Sequence, residues 1–149
     1  MRVVFGSDHA GFGLKQEMLK YVQALGHPVL DVGTHSDSPC DYPDYAEALA
    51  VALLNNQAER GIMVCGSGVG ASVAINKIPG IRAGLCHDCY SAHQAVEHDD
   101  INVLVLGARI IGSSLARDLV SIYLKASFSN DERHVKRLAK VQQLEKKYR

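Results

Sequence analysis

Ile62-Met63-Val64-Cys65-Gly66-Ser67-Gly68-Val69-Gly70 is the stretch on which the reading of this chain turns. An apolar run of strand type ends in a cysteine, and glycines then stand at alternate positions. That is the pattern of a strand that stops and a Gly-rich turn that opens a helix. The backbone N–H groups of such a turn point at whatever sits there, and a helix N-terminus adds about half a positive charge. Negative charge is favoured at that point, whether on a phosphate or an enediolate. The same field favours the thiolate of the neighbouring Cys65, so one loop offers both a base and a stabiliser for its product.

Outward from this loop, short apolar β-rich runs alternate with stretches of helical period, and glycine or proline marks most joints. Strands are expected at residues 3–5, 29–32, 62–65, 81–85 and 103–106. Between the first two, Leu14, Met18, Tyr21, Val22 and Leu25 recur at helical spacing, and Gly26 closes that helix. Pro43 suits a first helical turn, with Ala46, Leu49 and Leu53 as the apolar stripe behind it. A short helix over 70–77 stops at Pro79-Gly80, and a further helix covers 90–97. Two helices follow Gly112, one burying Leu115, Leu119, Ile122 and Tyr123, the other running over 132–147. Strands without polar alternation imply a parallel sheet covered on both faces, and right-handed crossovers put all strand C-termini on one edge. Ligands of such sheets bind along that edge. Asp8, His9, Cys65, Ser67 and Arg109 fall there. His98, at the far end of its helix, points to the opposite edge and reaches such a site only in a neighbouring subunit.

The length, 149 residues, suits a single domain over 1–149. Lysine plus arginine equals aspartate plus glutamate at 16 each, so overall charge gives no reason to propose nucleic acid or an acidic membrane as partner. Met1 leads directly into Arg2-Val3-Val4-Phe5, and no segment approaches the ~18 apolar residues of a span. The expectation is a soluble, cytoplasmic protein. Cys40, Cys65, Cys86 and Cys89 are not placed as in a disulfide scaffold and are expected reduced. Cys86-His87-Asp88-Cys89 is a C-x-x-C with His93 and His98 nearby, but no second pair at zinc spacing follows, and the reading preferred over a redox pair or zinc site is two small buried residues on a strand-to-helix turn. No metal or cofactor is called for.

Six segments, in order, resemble the ribose-5-phosphate isomerase B family, which also contains galactose-6-phosphate isomerase subunits. They are Gly6-Ser7-Asp8-His9-Ala10-Gly11, Asp41-Tyr42-Pro43, Cys65 through Gly70 with Asn76-Lys77, Gly80-Ile81-Arg82-Ala83, His98-Asp99-Asp100, and Arg133 with Arg137. The resemblance covers essentially the whole chain. It implies a three-layer αβα sandwich with a five-stranded parallel Rossmann-like sheet and an extra C-terminal helix used in dimer packing. It also implies a metal-free aldose–ketose isomerisation of a phosphorylated sugar through a cis-enediol. By similarity, Cys65 moves the proton from carbon 2 to carbon 1, and Ser67 relays a proton between the substrate oxygens. The N–H groups of Gly66, Gly68, Val69 and Gly70 hold the enediolate, and His98 opens the sugar ring. Asp8 and Tyr42 position hydroxyls or assist ring opening, with Asp99 beside His98, while His9, Arg109, Arg133 and Arg137 resemble a phosphate clamp. The family builds each site from both subunits of a dimer.

Plainer readings compete residue by residue. Arg133 and Arg137, four apart beside Lys136 and Lys140, suit a solvated basic helix face. Asp8 suits a helix cap, Tyr42 a staple before Pro43, and Cys65 an inert buried thiol. Ser67 stands where the family often has threonine, Asp99 where it often has asparagine, and Asp131-Glu132 where glycines are frequent. These departures bear on the substrate: ribose 5-phosphate is the first choice, and allose 6-phosphate or a related hexose phosphate would use the same chemistry. The presence of both Cys65 and His98 argues against a galactose-phosphate partner chain. Gly66-x-Gly68-x-x-Ala71 with Asp88 about 20 residues on also meets the permissive dinucleotide fingerprint, which keeps a nucleotide-binding module as a separate class. Val135, Leu138, Val141 and Leu144 give the last helix an apolar stripe with no sheet of its own to cover, and a homodimer with shared sites follows. The sequence is silent on whether dimers pair further.

Overall fold

Every strand runs in the same direction. The computed structural model describes residues 1–149 as β1 (Val3–Ser7), α1 (Phe12–Ala24), β2 (Val29–Asp31), α2 (Tyr42–Leu54), β3 (Arg60–Cys65), α3 (Val69–Ile75), β4 (Ala83–Leu85), α4 (Cys89–Asp99), β5 (Val103–Gly107), α5 (Ser113–Lys125) and α6 (Glu132–Lys147). The sheet order is β2-β1-β3-β5-β4, with all neighbours parallel. Successive side chains of a strand point to opposite faces, and the chain uses that alternation to feed two cores. Val3, Phe5, Ile62, Val64, Leu104 and Leu106 pack towards α1, α4 and α5. Val4, Met63, Cys65, Val103 and Val105 pack towards α2 and α3. Each fully buried Leu, Ile or Phe contributes on the order of 1.5–3 kcal/mol relative to exposure, so both faces hold the sheet between helical layers.

The direction of travel explains which helix covers which face. From β1 the chain steps one way to β2, and from β3 it steps the other way past β5 to β4. Right-handed crossovers therefore send α1 to one face and α2 and α3 to the other; α4 returns to the face of α1 because β4 to β5 runs back. The chain reverses between β1 and β3, and a crevice opens at their C-terminal ends.

Several boundaries differ from the sequence reading for local reasons. The fourth helix spans Cys89–Asp99 instead of 90–97 because the Asp88 carboxylate accepts the Ser91 N–H at 2.7 Å, and Asp100 ends it in a left-handed conformation with φ +48°. The fourth strand starts at Ala83 and not at residue 81, since the Arg82 N–H donates to the Asn102 side chain at 2.8 Å. The second strand stops at Asp31, whose carboxylate binds the buried ammonium of Lys15 at 2.5 Å and the Gly33 N–H at 2.9 Å. The short helix starts at Val69, with Gly68 as its cap at φ +83°. α6 rests on α4, yet of its residues only His134 is buried; Val135, Val141 and Leu144 are about half exposed at 47%, 50% and 56%. No helix is long and apolar enough to cross a membrane.

Candidate active site

Three loops meet at the C-terminal edge, following β1, β3 and β5. Backbone bonds join them: the Ala108 N–H donates to the Cys65 carbonyl at 2.8 Å, the Arg109 N–H to Gly66 at 2.9 Å, and the Asp8 N–H to Val64 at 3.3 Å. Gly11 allows the start of α1 to close on the end of β3; a β-carbon there would lie 2.2 Å from the Val64 carbonyl oxygen. The Asp8 carboxylate, 7% exposed, accepts the Gly11 N–H at 3.0 Å, so it both braces this turn and stands in the crevice. The capping role and the edge position coexist.

Cys65 ends β3 almost fully buried, at 4% exposure. Its Sγ accepts the N–H of Gly68 at 3.1 Å, and an N–H donated to sulfur stabilises negative charge on it. Gly68 can aim that N–H because its backbone sits at φ +83°, a conformation most side chains avoid. Ser67 is exposed at the tip of the loop, with Oγ accepting the Val69 N–H at 3.2 Å. α3 is only seven residues long, and the loop that opens it spends the Gly68 N–H on Cys65 and the Val69 N–H on Ser67.

Around this loop stand the other edge residues. The Tyr42 ring, 39% exposed, lies against Gly70. The Arg109 guanidinium lies over Gly66, where a β-carbon would meet Nη1 at 3.3 Å. His9 is half-buried, its Nδ1 lying 3.2 Å from both the carbonyl oxygen and the amide nitrogen of Cys40. A thiol, a hydroxyl, a carboxylate, a phenol, an imidazole and a guanidinium thus stand around one crevice, beside the backbone of a Gly-rich loop. That set can remove a proton from carbon, hold the resulting oxyanion and bind a distal anion.

The remaining expected site residues lie elsewhere in the protomer. α4 leaves the C-terminal edge at Cys89 and runs back, so His98, nine residues on, is displaced by about 14 Å along the helix. There its ring stacks on that of His134, with centroids 4.0 Å apart and planes 29° apart. Arg133 and Arg137 flank His134 on α6 and are exposed; Arg133 makes only a loose 3.9 Å pairing with Asp131. Asp99 is exposed, and the carboxylate beside His98 is that of Glu97, at 3.7 Å from Nε2. One protomer therefore carries two separate clusters, Cys65 with the edge loops, and His98 with α6.

Several functional candidates escaped the sequence reading. His134 is buried among α4 and α6, its Nδ1 bonded to Ser129 Oγ at 2.6 Å and its Nε2 without a partner. Burial, together with His98 and Arg133, holds its pKa below the usual histidine value. His87 accepts the Gly107 N–H on Nε2 at 2.9 Å, and burial lowers its pKa as well. Gln94, one turn before His98 on α4, has its Nε2 2.9 Å from His98 Nδ1, a pair open to a sequence argument from helical spacing; the other contacts cross between elements. Cys86 and Cys89 are both free, and only Cys86 is buried as expected: burial first and Asp88 second push its thiol up to about 11, while Cys89, at the start of α4, is exposed. Asp88, the acid of the dinucleotide fingerprint, is engaged in capping α4. Away from the crevice, a groove of about 420 Å³ runs between α6 and the start of β4, lined in part by Ile81, Ile101, Leu138 and Val141.

Residues 3–141 match the family model described as Ribose/Galactose Isomerase. The chain is 40% identical over 146 residues to ribose-5-phosphate isomerase B of Escherichia coli, covering 98% of this chain and 97% of that one. It is 38% identical over 130 residues to a D-erythrulose-4-phosphate isomerase of Pectobacterium atrosepticum, covering 86% and 85%. Among solved structures, ribose-5-phosphate isomerase B of Clostridium thermocellum superimposes with a TM-score of 0.97 at 44% identity, over 100% of both chains.

Proposed function

The chain belongs to the ribose/galactose isomerase family, and from that premise we propose that it interconverts ribose 5-phosphate and ribulose 5-phosphate through a cis-enediol. The observation that carries the reading is Cys65 Sγ at 3.1 Å from the Gly68 N–H, in a Gly-rich loop that follows β3. The thiolate takes the proton from carbon 2 of the open-chain aldose and returns it to carbon 1. Ser67 Oγ, able to donate and accept, passes a proton between the oxygens on those carbons. Loop N–H groups hold the enediolate between the two transfers. His98 protonates the ring oxygen as the furanose opens, with Asp8 and Tyr42 orienting the sugar hydroxyls. His9, Arg109, Arg133 and Arg137 hold the phosphate, for which guanidinium forks are suited.

His98, Arg133 and Arg137 belong to the cluster on α4 and α6, at the end of α4 away from the edge that carries Cys65 of the same protomer. The proposed assembly is a homodimer of single-domain subunits in which each crevice receives these three residues from the other subunit. The apolar side chains left open on α6 support that assembly.

The test is isomerase activity on ribose 5-phosphate in chelator-treated buffer, for the native protein and for Cys65→Ala, with allose 6-phosphate and erythrose 4-phosphate in parallel. Loss of pentose turnover in the variant supports the thiol base; turnover of only another sugar phosphate keeps the mechanism and moves the substrate. Mixing Cys65→Ala with His98→Asn subunits under exchange conditions tests the shared site. Recovered activity supports it, and none despite mixed dimers overturns it.

A further inference from the structure

We propose, on the reading of His9 as a phosphate ligand, that Cys40 is a positioning residue for it: the Cys40 peptide group fixes the imidazole so that Nε2 carries the hydrogen offered to the phosphate. His9 lies in the loop after β1 and Cys40 two residues ahead of α2, 31 positions away. The Cys40 N–H is aimed at His9 Nδ1 over 3.2 Å, and the Cys40 carbonyl oxygen lies 3.2 Å from the same atom. Neither peptide group takes part in another backbone hydrogen bond. The Cys40 thiol, 3.9 Å from Nδ1, is a longer and weaker contact. On the other side of the ring, Nε2 makes no hydrogen bond within the chain and is not enclosed by it.

A peptide N–H has a single hydrogen, and this one can be used only by a bare Nδ1. The carbonyl oxygen has two lone pairs and, in this half-buried place, can turn to water instead. In the neutral ring Nδ1 is therefore bare and Nε2 carries the hydrogen. Protonation adds a hydrogen at Nδ1, which the Cys40 carbonyl accepts, and Nε2 keeps its own. An anion needs this arrangement, because phosphate oxygens accept hydrogen bonds and a bare Nε2 would set lone pair against lone pair. His9 gives up no proton in this role, so the neutral ring serves as well as the charged one. The charged and titratable groups on the surrounding loops are Asp8 after β1, the Cys40 thiol and Asp41 before α2, and Arg109 after β5, whose guanidinium lies over Gly66.

The experiment pairs ¹⁵N NMR of the full chain with kinetics on ribose 5-phosphate. At about pH 8, His9 is expected as the Nε2–H form, with a coupling across the hydrogen bond between the Cys40 amide nitrogen and Nδ1. Cys40→Ala, which keeps the peptide group, is expected to keep both signals. Cys40→Pro removes the N–H and leaves the carbonyl, so the neutral ring moves its hydrogen to Nδ1 and bares Nε2. Its KM is expected to be about tenfold above the native value at about pH 8, with kcat within about twofold, and the excess to shrink towards about pH 5.5 as acid protonates the ring. An equal excess at both pH values marks a merely structural loss and overturns the proposal. An Nδ1–H form or a missing coupling in the native protein also overturns it, and decides the matter alone if Cys40→Pro does not fold. His9→Ala is the control: if it keeps the native KM, the phosphate reading has failed and this proposal falls with it. If His9→Ala raises KM and folded Cys40→Pro does not, only the positioning role of Cys40 falls.

Discussion

The ring of Tyr42 occupies the space that a side chain on Gly70 would need: a β-carbon there would come within 2.8 Å of the Tyr42 Cζ. The two residues come from different helices, one at the start of α2 and one in the first turn of α3. Gly70→Ala is therefore expected to push the phenol out of the crevice. The ring is 39% exposed and free to move, so folding stability should change by less than about 1 kcal/mol. kcat/KM on ribose 5-phosphate should fall about tenfold to a hundredfold, the scale of a small misplacement. Steady-state kinetics beside urea denaturation separate the two effects.

Cys65→Ala should lower kcat by about 10³-fold, within the range of a lost general base, while leaving the denaturation midpoint nearly unchanged because the side chain is small. Alkylation of the native protein by iodoacetamide, followed by mass spectrometry, should modify Cys65 more slowly when ribose 5-phosphate is present. Equal rates would detach the thiol from the sugar site.

Lys15 is buried completely, yet charged, and its partners are Asp31 Oδ1 at 2.5 Å and the Thr34 carbonyl at 2.7 Å. Removing only the acid leaves a buried ammonium without its counter-ion. Asp31→Ala should cost about 3 kcal/mol by urea denaturation, and Lys15→Met clearly less, since replacing a buried charge by an apolar chain also removes its desolvation penalty.

Acid should weaken the fold through His87. Its Nε2 accepts the Gly107 N–H, and a protonated ring has no lone pair left to accept it. Burial lowers its pKa in the folded chain, while the unfolded chain binds the proton near pH 6.5. The unfolded state then holds more protons, so stability is full above about pH 6.5 and falls as pH drops below it. His134 acts in the same direction. Urea midpoints at pH 7.5 and 5.5 should show the fall, and His87→Gln should reduce it.

Thiol titration should distinguish the C-x-x-C pair. Cys89 is exposed and should react with a disulfide reagent at pH 7, whereas Cys86, with its thiol pushed up to about 11, should not react until the protein unfolds. Prompt loss of both thiols as one disulfide would contradict the burial of Cys86.

Much of this architecture could be read from the chain because its signals are local. Strand β3 and its glycine turn are contiguous, and apolar side chains on both faces of Val3 to Phe5 and Val103 to Leu106 announce a buried parallel sheet. The edge loops followed from topology alone. What stayed hidden lies in contacts between distant segments. Nothing about Lys15 distinguishes it from a surface lysine until Asp31 and Thr34 close around it, and Arg82 pairs with the carboxylate and carbonyl of Asp100 across 18 positions. His134 reads as one polar residue in a basic helix until α6 turns it onto His98. Helix ends shifted where a single carboxylate, that of Asp88, began α4 earlier than its apolar spacing suggested.

The strand order also bears on how the chain comes off the ribosome. β4 is complete by Leu85, but its only neighbour in the sheet is β5, which begins at Val103. β3 likewise has one flank open until that same strand arrives. Through the intervening stretch of synthesis a nascent chain holds an unpaired strand and an uncovered sheet edge together, a state prone to sticking to its neighbours. The passage of residues 103–107 from the exit tunnel is thus the moment at which the growing polypeptide can first close its sheet.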